Sequence, residues 1–285
     1  MSVEQDRSQV AVERSGELVL VKLGGSVITD KAQAEAARLE VIDRLAGEVA
    51  GALGAAPDLK LVLGHGSGSF GHVTAQRYGT RQGVRSPADW FGFAEVADVA
   101  ARLNRLVTQR FLAAGVSTWS LQPSASARCR GGALVSLEID PLLRALDRGL
   151  APMVYGDVAL DEEQGGTILS TEQIFGYLAR RLHPTRLVLV GQVDGVFEGD
   201  PLSDPTARHV PVIHPGNWQE VRAVLGESHA TDVTGGMLSK VEEMVTLVQD
   251  LPGLWVHLVS GQRPGALQAA LLEPLSAGGT VIDWG

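Results

Sequence analysis

The stretch Leu18–Ser26, LVLVKLGGS, decides how the rest of the chain is read. Its first six residues carry apolar side chains at both odd and even positions, the pattern of a strand buried on both faces. The two glycines that follow let the backbone turn sharply and bring its N–H groups close to an anion. Lys22, at the strand end, can aim its ammonium at the same place. Strands of this kind belong to parallel sheets, and ligands of open parallel sheets bind beyond the carboxyl ends of the strands.

Working outward, strand-length apolar runs alternate with longer helical patterns. Further strands are predicted at Leu59–Leu63, Thr118–Leu121, Ala151–Tyr155, Arg186–Val190, Leu254–Val259 and Thr280–Ile282. Helices are predicted over Ala32–Leu53, Ala88–Ala114, Pro141–Arg148, Thr171–Leu182, Met237–Asp250 and Pro264–Leu271. Gly156–Gly166, GDVALDEEQGG, reads as a hairpin excursion. The alternation predicts an α/β fold, a three-layer sandwich with an open, mostly parallel central sheet between two layers of helices. Residues 1–16 read as a mobile tail, and 17–285 as one continuous unit.

Composition limits the function. With 45% hydrophobic residues the 285-residue chain can bury a sizeable core. No apolar run reaches the roughly 18–20 residues needed to span a bilayer, and the polar start lacks a secretory pattern. These features predict a soluble, cytoplasmic protein. The single cysteine, Cys129, can form no internal disulfide and excludes a Cys-rich metal site. A net charge of −9 argues against a general nucleic-acid surface. Only Lys22, Lys31, Lys60 and Lys240 among the 24 basic residues are lysines. Where arginine is the default cation, each lysine is a candidate for work needing a compact ammonium.

Two more glycine-rich stretches follow the same logic. Gly64–His72, GHGSGSFGH, contains G-x-G-x-x-G at Gly66, Gly68 and Gly71 after a strand. The dinucleotide reading fails on context, because a strand and a helix come earlier and no acidic strand end follows. What remains is a loop of backbone donors flanked by His65 and His72, suited to a phosphate. Asp232–Lys240, DVTGGMLSK, opens a helix, where free N–H groups and the positive dipole end attract anions. Walker A, G-x-S-x-G and H-E-x-x-H sequences are all missing.

Three such loops in this order resemble the amino-acid kinase superfamily, and within it the isopentenyl phosphate kinases. The likeness rests on KLGGSVITDK (22–31), HGSGSFGH (65–72), SLQPS (120–124), YGDV (155–158), VDGVFEGDP (193–201) and DVTGGMLSK (232–240). It implies transfer of the γ-phosphoryl group of ATP, with Mg²⁺ held mainly through the phosphates, to isopentenyl phosphate or a related prenyl monophosphate. It also implies an N-terminal acceptor lobe (about 17–183), a C-terminal nucleotide lobe (about 184–285) and a homodimer. Carried across, Lys22, Lys31 and His72 are catalytic. Ser67, Gly68, His72, Thr171 and Phe93 fall on the acceptor side. Lys22, Gly24, Gly25, Ser26, Gly68, Asp194, Gly195, Gly235 and Lys240 fall on ATP.

Chemistry and departures shape these expectations. A phosphate monoester has its second pKa near 6, so its attacking oxygen is already ionised at neutral pH. His72 is then expected to orient the acceptor by hydrogen bonding and not to act as a base. Trp90, Phe91, Phe93 and Val96 are candidates for an apolar slot, which Ala94 would make roomier. Gly191–Gln192 stands where the family usually has Thr-Asp, removing a carboxylate from the nucleotide side. Thr171 and Ser67 replace common glycines. The rival expectations are a phosphonate kinase of the fosfomycin-resistance type and a silent nucleotide-binding regulator.

Overall fold

The computed structural model describes residues 16–30, 32–199, 201, 204, 206–227, 237–274 and 276–285. Its main sheet is built from β1 (Leu18–Leu23), β2 (Lys60–His65), β3 (Thr118–Ser120), β6 (Ala151–Tyr155), β9 (Arg186–Gly191), β12 (Val212–Ile213), β13 (Trp255–Ser260) and β14 (Thr280–Ile282). The order is β12-β14-β13-β9-β1-β2-β6-β3, so the opening strand sits in the middle. Every pairing is parallel except β13 with β14.

The both-faces reading of LVLVKL holds residue by residue. Leu18 and Leu20 join one apolar cluster, beneath α5 (Asp140–Asp147), α6 (Thr171–Leu182), α7 (Trp218–Glu227) and α8 (Met237–Asp250). Val19, Val21 and Leu23 join the opposite cluster, against α1 (Gly25–Ile28), α2 (Leu39–Ala55), α3 (Gly68–Tyr78), α4 (Pro87–Ala113) and α9 (Ala266–Leu272). Each such fully buried side chain contributes about 1.5–3 kcal/mol relative to exposure. A second, four-stranded sheet has the order β5-β4-β7-β8. It comprises β4 (Arg128–Arg130), β5 (Ala133–Ser136), β7 (Asp157–Asp161) and β8 (Gly165–Leu169), and the last two form the hairpin expected at 156–166. A short antiparallel pair, β10 (Val196–Phe197) and β11 (His209–Val210), completes the strands.

Two expectations change. The helix predicted from Ala32 starts only at Leu39. Before it, Asp30 N–H donates to Ala36 O at 2.8 Å and Thr29 bridges Ala37, so the helix-forming alanines are spent in a turn. Conversely, the Gly64–His72 stretch, read as a loop, enters helix α3 at Gly68. Its glycines lower helix propensity by about 1 kcal/mol each, and tertiary packing of Phe70 into the core overrides that cost.

Candidate active site

Backbone hydrogen bonds stitch together the loops that leave the sheet. Gly24 N–H donates to Val190 O at 2.9 Å and Gly66 N–H to Leu23 O at 3.0 Å. On either side, Gly156 N–H donates to His65 O at 3.0 Å and Gly261 N–H to Gly191 O at 2.7 Å. The loops after β1, β2, β6, β9 and β13 therefore share one edge.

At the centre of that edge the starts of α1 and α3 abut. A Cβ on Gly25 would run into the Gly68 amide nitrogen, and one on Gly68, whose φ is +51°, would strike Thr29 Oγ1. Thr29 locks the contact by donating its hydroxyl to Gly25 O at 2.7 Å while accepting from Ser69 N–H at 3.0 Å. The first N–H groups of each helix, on Gly25, Ser26 and Gly68, have no intrahelical acceptor. The two helix starts thus bring backbone donors to one spot, an arrangement able to cradle phosphate oxygens.

Charged side chains close around the cradle. Lys22 Nζ donates to Glu172 Oε1 in an ion pair whose side chains are 12% and 17% exposed. Glu172 lies in the first turn of α6, capped by Ser170 Oγ, which accepts from Gln173 N–H at 3.1 Å. Burial alone would raise the Glu172 carboxyl, but the ammoniums of Lys22 and, further off, Lys240 hold it below its ordinary value. Burial, with Glu172 nearby, pushes the Glu243 carboxyl up, against the opposing pull of Lys22 and Arg180. Lys22, Lys240, Glu172 and Glu243 therefore act on one another, with α8 supplying Lys240 and Glu243 on successive turns. A cavity of about 890 Å³ opens beside Glu172, with Ile168, Tyr177, Glu243 and Met244 in its walls.

The residues singled out in the sequence divide into three groups. Lys22, Gly24, Gly25, Ser26 and Gly68 come together as described, Ser67 directly precedes α3, and His72 lies one turn past Gly68 on the exposed side of α3. Lys240 is exposed on the first turn of α8, electrostatically coupled to Glu172. Lys31 and Gly235 lie outside the described residues.

The remaining candidates hold other elements in place. Thr171 is buried and gives its hydroxyl to His65 O at 2.7 Å, tying α6 to the end of β2. The Asp194 carboxylate accepts from Arg263 Nε at 3.0 Å and from Ser260 N–H at 3.1 Å, bridging two loops. Gly195 has φ +106°, and a Cβ there would collide with Thr280 Oγ1, so that turn requires glycine. Phe93 packs edge-on against Trp90 at 5.4 Å and covers the hairpin turn, where a Cβ on Gly166 would lie 2.9 Å from its ring. Val96 is core, and Phe91 and Ala94 line a separate groove of about 390 Å³ between α3 and α4.

Three residues escaped the sequence reading. Nothing in the sequence sets Glu172 apart from other acids in a helix's first turn, and Glu243 occupies an exposed helix position. Gln192 was noted only for the carboxylate it lacks; its Nε2 donates to Ser26 O at 3.0 Å and links β9's loop to α1.

With fold and site in hand, the class is settled: residues 17–258 match the model of the amino acid kinase family, and the chain belongs to that family. Within it, the chain is 34% identical to the isopentenyl phosphate kinase of Methanothermobacter thermautotrophicus, over 90% of this chain and 95% of that protein. It is 35% identical to that of Haloferax volcanii, over 88% of this chain and 98% of the other. A solved isopentenyl phosphate kinase structure superposes with a TM-score of 0.78 at 31% identity, covering 93% of this chain and 99% of that one.

Proposed function

We propose that this protein transfers the γ-phosphoryl group of ATP to isopentenyl phosphate, giving isopentenyl diphosphate and ADP. The observation that carries the reading is the abutment of α1 and α3 beside the Lys22–Glu172 pair. Two anionic substrates meeting end to end need that many donors and cations in one place.

The reaction needs positioning and charge neutralisation more than covalent help from the protein. The acceptor phosphate, ionised at neutral pH, attacks the γ-phosphorus directly while the bond to the β-phosphate oxygen breaks. Gly25, Ser26 and Gly68 N–H groups hold the equatorial oxygens, and Lys22, aimed by Glu172, neutralises the charge that develops on them. Lys240, from the nucleotide side, and Lys31 add positive charge. His72 donates a hydrogen bond that orients the acceptor. Among the described residues no cluster of three or more His, Cys, Asp or Glu side chains could hold a metal ion. In this reading Mg²⁺ enters with the nucleotide substrate as MgATP, held mainly through the phosphates.

The acceptor lobe spans about residues 17–183 and the nucleotide lobe about 184–285, meeting along the β1–β9 seam. The isoprenoid tail lies against the β7–β8 hairpin, where Phe93 covers the turn and Ile168 faces the large cavity. No helix among the described residues is long and apolar enough to cross a membrane. Trp119 on edge strand β3 and Leu112 late in α4 are exposed apolar side chains that fit a homodimer contact, which light scattering would test.

The test is ADP release with isopentenyl, dimethylallyl and longer prenyl phosphates, with fosfomycin alongside. The reading expects isopentenyl phosphate to give the highest kcat/KM. Preference for fosfomycin would replace the acceptor, and ATP binding without transfer would replace the activity.

A further inference from the structure

We infer that His65 is a positioning residue: through Nδ1–H it clamps the Gly66 carbonyl and thereby turns the Ser67 amide toward the acceptor phosphate. The inference rests on the phosphoryl-transfer reading above.

His65 ends β2 and is fully buried. Its ring stacks on that of Tyr155, its partner across the β2–β6 ladder, with centroids 5.7 Å apart and planes 9° from parallel. Nδ1 lies 3.1 Å from Gly66 O, and Nε2 lies 3.1 Å from Asn104 Nδ2. Ser120 Oγ donates in turn to Asn104 Oδ1.

Chemistry fixes every proton in this chain. A carbonyl oxygen only accepts, so His65 Nδ1 must be the donor to Gly66. The Asn104 carbonyl oxygen takes the Ser120 hydroxyl, so its amide nitrogen faces His65 and donates to Nε2. Nε2 is therefore the acceptor, and the imidazole is the neutral Nδ1–H tautomer. Burial, opposed by the Gly66 hydrogen bond, lowers the ring's pKa to about 4, in accord with a neutral ring at physiological pH.

The consequence for the site follows from peptide planarity. In a trans peptide the C=O of one residue and the N–H of the next point to opposite sides. With Gly66 C=O held inward by His65, Ser67 N–H faces away from the buried ring. A Cβ on Gly156 would lie only 3.6 Å from Ser67 N, so the absence of a side chain there keeps the approach to this amide open. Gly66 itself cannot shift freely, because its N–H is bound to Leu23 O at 3.0 Å. The His65 carbonyl is fixed as well, by Gly156 N–H and the Thr171 hydroxyl. Thr171 and Asn104 thus serve the phosphate loop through His65.

Two substitutions separate this role from simple core filling. An asparagine side chain places its amide nitrogen near the position of Nδ1, whereas glutamine reaches the position of Nε2. His65→Asn keeps the clamp with the smaller side chain, and His65→Gln loses it with the better volume match. The clamp predicts that His65→Asn keeps the acceptor KM within about threefold of wild type. His65→Gln should raise it tenfold or more, with the ATP KM of both within about twofold. Equal losses in the two variants, or a smaller loss for glutamine, would overturn it. A ¹⁵N–¹H correlation spectrum of the wild-type histidines supplies a readout independent of turnover. Protonation of His65 at Nδ1 from pH 6 to 8 is expected, and an Nε2–H tautomer would refute the clamp. Absence of wild-type turnover on any prenyl phosphate would instead count against the proposed function, leaving the tautomer to decide the clamp.

Discussion

Replacing Glu172 with glutamine removes the charge that aims Lys22 while nearly preserving shape. The two side chains are 12% and 17% exposed and in direct contact. At an effective dielectric near 20, unit charges about 4 Å apart attract by about 4 kcal/mol. Desolvation of both groups offsets most of that, so the pair contributes little net stability while fixing geometry strongly. Glu172→Gln leaves the Lys22 ammonium without its nearest counter-charge, and Glu243 is the carboxylate left to compete for it. The expected stability loss is about 2 kcal/mol, seen as a fall of several degrees in Tm at about 2–4 °C per kcal/mol. The kinetic loss should be larger. A misplaced donor to the transferring phosphoryl group costs about 3–4 kcal/mol, or 10²–10³ in kcat. ATP KM should stay within about threefold, because the amides of Gly25, Ser26 and Gly68 still face the phosphates. The sign with pH also follows. The folded Glu172 carboxyl sits below its ordinary value of 4.5, so its contribution is present above that pH and lost as pH falls through the depressed value. The stability gap between wild type and variant should therefore close in acid. Steady-state kinetics and thermal melts at several pH values measure all three quantities. A kcat within threefold of wild type would refute the assignment of Glu172 as the residue that positions Lys22.

Other expectations are more compact. His72→Ala should lower turnover at least tenfold while calorimetry finds ATP affinity unchanged; equal loss of both would remove His72 from the acceptor side. Gly25→Ala should cost more than 10² in kcat with the far-UV circular dichroism intact, because the new Cβ would push α1 and α3 apart at Gly68 N. Near-normal activity in that variant would mean the helix starts need not touch. For His65, the neutral ring is favoured by folding, so its contribution is complete above pH 6.5 and is lost as pH falls toward about 4. Wild type should lose on the order of 3 kcal/mol more over that window than His65→Asn does, as read by denaturant unfolding. Parallel stability curves would contradict a buried, neutral His65.

What could be read from the sequence was what glycine and lysine report. Gly24, Gly25, Gly66 and Gly68 marked a place where backbone must approach backbone, and the structure puts those approaches there. The near-continuous apolar run of LVLVKL carried the sheet, because burial on both faces marks odd and even positions alike. Glu172 was illegible because its importance is a distance across 150 residues to Lys22, and an acid in a helix's first turn is common for dipole reasons alone. For Asp194 the motif pointed to the nucleotide side, and what the sequence could not show is that its carboxylate bridges Arg263 and Ser260 N–H. Helix α3 was missed because its sequence is glycine-rich, and only packing of Phe70 beneath it reveals a helix.

The most direct test is a crystal structure with a non-hydrolysable ATP analogue, Mg²⁺ and isopentenyl phosphate bound together. The account predicts the acceptor phosphate and the γ-phosphate facing each other at the junction of Gly25 and Gly68, with Lys22 Nζ within hydrogen-bonding distance of the γ-phosphate. An acceptor phosphate bound elsewhere, with Lys22 still held only by Glu172, would contradict it.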